Sequence, residues 1–187
     1  FPTDRMPEGY NTEQPKQSHG LTHVHHFYTK RNLWITSYVL CLINSLNDYR
    51  IKMAILFGFN NVHQRHCKLN AMRFNVSFPS NITSGTLYLP SMIRENNFIN
   101  QLKNKYNMRL KKIFELLNIN MLNLISTCSL NSNSILKDSI DYIFTDPPFG
   151  DNLMYSELNF LWEAWLKVKT NNAQEAVINS TQEKDLN

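Results

Sequence analysis

Apolar residues return at helical spacing over much of this chain. Between residues 97 and 117, Phe98, Leu102, Tyr106, Leu110, Ile113, Phe114 and Leu117 recur three or four apart, which places them on one face of a helix. Lys103, Lys105, Arg109, Lys111 and Lys112 share the other face. A helix is predicted over residues 30 to 47, with Thr29 as N-cap and Leu33, Trp34, Val39, Leu40, Ile43 and Leu46 as its apolar positions. Another is predicted over residues 51 to 74, apolar in its first half and polar in its second, so the first half is the expected buried end. A last helix covers residues 155 to 168. Residues 1 to 26 are polar and Pro-containing and read as loop; residues 85 to 90 read as a short strand or extended segment.

Two short apolar runs, residues 121 to 127 and 139 to 145, read as strands around the Ser- and Asn-rich turn of residues 129 to 134. The order strand, turn, strand, motif, helix predicts an α/β fold: a partial Rossmann-like, doubly wound sheet with an upstream helical region. The division is a polar segment over 1–28 and a partial domain over 29–187, mainly helical over 29–118, strand-turn-helix over 119–168, and a polar tail over 169–187.

The chemistry concentrates where the second run ends. Ser139-Ile140-Asp141-Tyr142-Ile143-Phe144-Thr145 leads into Asp146-Pro147-Pro148-Phe149-Gly150. Proline fixes its own φ and has no N–H to donate, so a strand must stop there. A carboxylate, bare carbonyls and an aromatic face are then presented at a strand's carboxyl end, where open α/β sheets bind ligands. Such a turn can hold a flat amine: Asp146 and the Pro147 carbonyl accept its N–H bonds and Phe149 stacks on its ring.

The run from residue 138 to residue 150 resembles the catalytic motif of amino-methyltransferases, and the Asp-Pro-Pro-aromatic form resembles the adenine-N6 enzymes most. Asn152-Leu153-Met154-Tyr155-Ser156-Glu157-Leu158-Asn159-Phe160-Leu161-Trp162-Glu163-Ala164-Trp165-Leu166 is similar to the segment after that motif in large bacterial adenine-specific DNA methylases, a group often associated with a zinc-ribbon insert. Ser18-His19-Gly20-Leu21-Thr22-His23, Phe27-Tyr28-Thr29-Lys30-Arg31-Asn32-Leu33 and Gly85-Thr86-Leu87-Tyr88-Leu89-Pro90 also resemble that group. The resemblance implies methyl transfer from S-adenosylmethionine (SAM) to an exocyclic base amine of DNA, most typically adenine N6, in restriction–modification, phage defence or regulation. It implies Asp146, Pro147, Pro148 and Phe149 as catalytic residues and Phe149 with Tyr155 as stacking surfaces. In such enzymes an aromatic-Thr element opening a helix helps hold the SAM amino-acid moiety. Phe27 and Thr29 match it loosely, and an ordinary capped helix explains them equally well.

The glycines change this picture. Only Gly9, Gly20, Gly58, Gly85 and Gly150 are present, with no Gly-x-Gly pair, whereas SAM folds of this kind use a Gly-rich turn for close approach to the cofactor. The chain is therefore expected to be a piece that lacks much of the cofactor pocket and is inactive alone.

His19, His23, His25 and His26 are dense, yet no Cys or second His pair completes a tetrahedral set, so no metal is expected and the rings are expected to line a loop. His63, Arg65, His66, Cys67 and Lys68 read as a polar helix face. Cys41, Cys67 and Cys128 form no Cys-x-x-Cys pair, which suits reduced thiols in a cytoplasm. No membrane-length apolar run occurs. A net charge of +4 permits a nucleic-acid partner without requiring one. RNA or protein amino-methyltransferases would use the same strand-end chemistry, and a catalytically inactive nucleic-acid-binding remnant would keep the motif without turnover.

Overall fold

The computed structural model describes residues 1–75, 80–83, 85–110, 112, 136–146, 150, 153–171, 178, 180, 183 and 184. Five α-helices are found among them: α1 (Tyr10–His19), α2 (Lys30–Asn44), α3 (Tyr49–His63), α4 (Phe98–Lys105) and α5 (Tyr155–Leu166). Single 3-10 turns cover Val24–Phe27 and Gln64–His66, and a π turn covers Tyr106–Leu110.

Local chemistry sets the helix starts. The Thr29 hydroxyl accepts the Asn32 N–H at 3.2 Å. Asp48 Oδ1 accepts from Arg50 and Ile51 at 2.9 and 3.1 Å, and Asn97 Oδ1 accepts from Asn100 at 3.0 Å. Each cap satisfies N–H groups that have no partner inside the helix. α1 ends at Gly20, whose left-handed φ of 68° lets its own N–H and that of Leu21 return to Lys16 and Pro15.

α2 and α3 pair as a hairpin across which α4 packs, around Val39, Ile43, Phe59, Val62 and Phe98. A second cluster gathers Val24, Phe27, Tyr28, Leu33, Leu69, Leu87, Leu161 and Trp165, joining the N-terminal segment to α5.

Several expectations are corrected. Residues 1 to 26 are not all loop, since ten of them form α1. The helix expected over residues 51 to 74 ends at His63, and Asn70–Met72 (β1) turns back as a strand against Ser80–Ile82 (β2). The buried end of α3 is its second half: Phe59, Val62 and His63 are enclosed while Ile51, Met53 and Phe57 are exposed. Phe59 and His63 meet the rings of Phe98, Trp162 and Trp165, whereas in the apolar half Ile55 and Leu56 reach the core only in part. Trp34 is likewise exposed. Over residues 85 to 90 burial alternates, with Leu87 and Leu89 inside and Tyr88 outside, but no ladder forms.

The doubly wound sheet is overturned as well. The described residues are mainly helical, and their one sheet is the antiparallel β1–β2 pair. Residues 139 to 145 form no strand: Tyr142 and Phe144 are 80% and 82% exposed, and no strand among the described residues pairs with them. A strand is stabilised by its partners, so an apolar run without them stays irregular. The strand expected over residues 121 to 127, and the helix positions from 113 to 117, lie outside the described residues.

α1 is seated on α5 by Glu157. This carboxylate is fully buried, and its Oε2 accepts the Asn11 N–H at 2.8 Å, at the end of α1 whose dipole favours negative charge. A methyl group on Gly9 would overlap that carboxylate. Gly9→Ala is therefore expected to cost about 1–3 kcal/mol by urea denaturation. In Glu157→Ala the same change should cost much less, because the obstacle is gone; equal costs in both backgrounds would refute the contact.

Candidate functional site

Tyr28 links three distant segments. Its hydroxyl accepts the Trp165 Nε1–H at 2.9 Å and lies 3.1 Å from His63 Nε2. His63 is sandwiched: Phe59 stacks on it at 5.4 Å, and the Trp162 and Trp165 rings meet it edge-on at 5.3 and 5.5 Å. Burial, with His66 adding to it, pushes the His63 imidazole down to about 3. Burial also holds the Tyr28 phenol well above its ordinary value. A neutral imidazole beside a protonated phenol joins Trp165, Tyr28 and His63 in one uncharged hydrogen-bonded chain. α5 is thereby tied to the residues that open α2.

Trp162 has a second contact surface. With Leu69, Leu87 and Leu158 it gives the apolar lining of a cleft of about 440 Å³. Gln64, Arg65, Thr83, Thr86 and Asn159 supply polar lining, and Tyr155 at the start of α5 completes the wall. Tyr155 is 42% exposed. The side chains of Gln64, Arg65 and Asn159 are exposed and make no hydrogen bond to the described residues. Apolar walls with a few uncommitted polar groups are the usual make-up of a small-ligand site, and the volume falls in its range. A hollow of about 850 Å³ lies along α1, but its Glu8 and Glu13 carboxylates are already paired with Lys16.

The predicted site residues divide. Asp146 is exposed at the end of the irregular segment 136 to 146, while Pro147, Pro148 and Phe149 lie outside the described residues. Tyr155 stands in the cleft wall. Phe27 is fully buried in the core and offers no face to a ligand. Thr29 is occupied: its hydroxyl caps α2 and donates to the Glu95 carboxylate, which Arg31 also reaches at 3.4 Å. An internal acid thus sits at the helix start where the SAM carboxylate was expected.

His23, His25 and His26 cluster, with ring centroids 4.4 to 5.6 Å apart. Burial lowers the pKa of His25 and His26, and their imidazole neighbours and, for His26, Lys68 add to it. Among the described residues no group of three or more His, Cys, Asp or Glu has the geometry to hold a metal ion. The supposed polar face of His63, His66 and Cys67 is core instead, and burial pushes the Cys67 thiol up to about 12.

Sequence reasoning missed the cleft's Gln64, Arg65, Asn159 and Trp162 and the buried Tyr28–His63–Trp165 chain. Tyr28 and Trp165 fall within the stretches that carry the resemblance; Gln64 and Arg65 had no signal, because an exposed polar pair after a helix looks ordinary. No helix of the described residues is long and apolar enough to cross a membrane. No protein-family model matches the chain, and comparison with curated proteins and with solved structures gives no match.

Two outcomes follow from the buried chain. Tyr28→Phe leaves the Trp165 N–H without its acceptor and should cost about 1–3 kcal/mol in urea denaturation. An ordinary imidazole titrates near 6.5 and folded His63 near 3. Inside that window the unfolded chain binds a proton that the folded one refuses. The His63 contribution is therefore whole above about pH 6.5 and is lost on acidification, at up to about 1.4 kcal/mol per pH unit. His63→Gln, which keeps an acceptor for Tyr28, should flatten that part of the stability–pH curve; an unchanged slope would refute the assignment.

Proposed function

We propose that the chain is part of a SAM-dependent DNA amino-methyltransferase, acting most readily on adenine N6, and that it supplies the amine-accepting loop and an adjoining base-binding surface. One observation carries this reading. Asp146-Pro147-Pro148-Phe149 is followed within six residues by Tyr155, which stands in an aromatic and amide-lined cleft.

A paired base cannot present its amine, so the target leaves the stack at a cost of a few kcal/mol. Stacking on Phe149 returns about 1–3 kcal/mol. The Asp146 carboxylate and the Pro147 carbonyl then accept the two amine N–H groups and orient the nitrogen lone pair. Orientation of this kind accounts for much of the acceleration without a covalent intermediate.

SAM is the methyl donor this reading implies, but the described residues do not fit it. Phe27 is buried, Glu95 sits at the start of α2 where the SAM carboxylate was expected, and no Gly-x-Gly turn occurs in the chain. The donor's pocket is accordingly assigned elsewhere, and nothing in the amine-binding step depends on its position here.

The test is incubation of the chain, alone and within its flanking coding sequence, with labelled SAM and unmethylated DNA, the product base being identified by mass. N6-methyladenine is expected. Asp146→Ala should abolish it while stability stays within about 0.5 kcal/mol, because Asp146 is exposed. Label on RNA or protein would replace the substrate; DNA left unlabelled throughout would sink the proposal.

A further inference from the structure

We propose that the cleft between the Gln64–His66 turn, residues 82 to 87 and α5 receives a second, unstacked nucleobase flanking the target, and that Arg65, Gln64 and Asn159 read its edge. This rests on the methyltransferase reading for the word "target" and on the cleft's own chemistry for the base.

The lining names the ligand. Tyr155 and Trp162 offer aromatic surface beside Leu69, Leu87 and Leu158, and single-stranded nucleic acid is held by stacking bases on such side chains. Around that surface stand a guanidinium and two carboxamides, the groups whose forked ends match the edges of guanine and adenine. Their polar heads make no hydrogen bond to the described residues, so an incoming base need not break an internal contact. Among the described lining residues Arg65 is the charged one, which suits a ligand on an anionic backbone.

The chain's reach defines "flanking". Tyr155 lies six residues beyond Phe149. At about 3.5 Å per residue, the cleft and the motif are no more than about 20 Å apart, a span of roughly six stacked nucleotides. Trp162 is backed by the His63 ring, which the Tyr28 hydroxyl meets.

The experiment uses single-stranded trinucleotides and the whole chain, without SAM. A central 2-aminopurine reports stacking by loss of its fluorescence. Unlabelled trinucleotides with a central guanine, adenine, cytosine, thymine or abasic site then compete for it. A purine is expected to compete at least about five-fold better than the abasic site. Tyr155→Ala should weaken binding about ten-fold, and Tyr155→Phe should restore it. Arg65→Ala and Gln64→Ala should change the ranking of the bases rather than abolish binding. Circular dichroism checks that each variant folds.

Equal competition by the abasic trinucleotide, or full binding by a folded Tyr155→Ala, would overturn the proposal. Base-dependent binding without methyl transfer in the labelled assay would keep the reader and remove the methyltransferase; methyl transfer without base-dependent binding would do the reverse.

Discussion

One phenolic oxygen holds the centre of this structure. Tyr28 lies 137 residues from Trp165 and 35 from His63, yet its hydroxyl meets both ring nitrogens. In a buried setting an unmade hydrogen bond costs more than a made one gains, so the three rings have few alternative arrangements. Trp165 can only donate, while neutral His63 donates from one ring nitrogen and accepts at the other. The Tyr28 hydroxyl joins the two rings in one hydrogen-bonded chain. α5, the Gln64–His66 turn and the start of α2 are positioned together by it, and the cleft is what stands between two of them.

Two acids from distant parts of the chain apply a related constraint at helix starts. Glu157 takes the Asn11 N–H of α1 across 146 residues, and Glu95 is bound by Thr29 at the start of α2 across 66. A helix N-terminus is an anion site by virtue of its free N–H groups and dipole. Glu157 takes such an N–H group and becomes a joint between elements, while Glu95 reaches α2 through the Thr29 and Arg31 side chains. The expected N-cap of α2 is present, with its hydroxyl shared between the Asn32 N–H and the Glu95 carboxylate.

Much of the local architecture was legible. Thr29 marks the start of α2, Phe98 leads the apolar face of α4, and α5 begins at residue 155 as its spacing requires. These features depend on neighbours within one or two turns, which any helix of that sequence would share. The failures are equally local in origin. The Gln64–Cys67 stretch looked polar because imidazole and thiol count as polar residues, although each is buried here with one hydrogen bond made. His66 Nδ1 meets the Val62 carbonyl at 2.9 Å and Cys67 Sγ donates to that of Gln64 at 3.1 Å. Residues 139 to 145 looked like a strand because they are apolar, but a strand requires partners that composition does not reveal.

The sequence by itself determined the helix caps, the apolar faces and the Asp-Pro-Pro-Phe run with its chemistry, because each depends on residue type and short spacing. Only the tertiary structure decided which half of α3 is buried, that the described residues build helices rather than a doubly wound sheet, and that Tyr155 shares a cleft with Gln64, Arg65 and Asn159. Those outcomes turn on contacts between residues tens of positions apart. Their free energy comes from fitting rings, carboxylates and caps together in three dimensions, which the linear pattern does not encode.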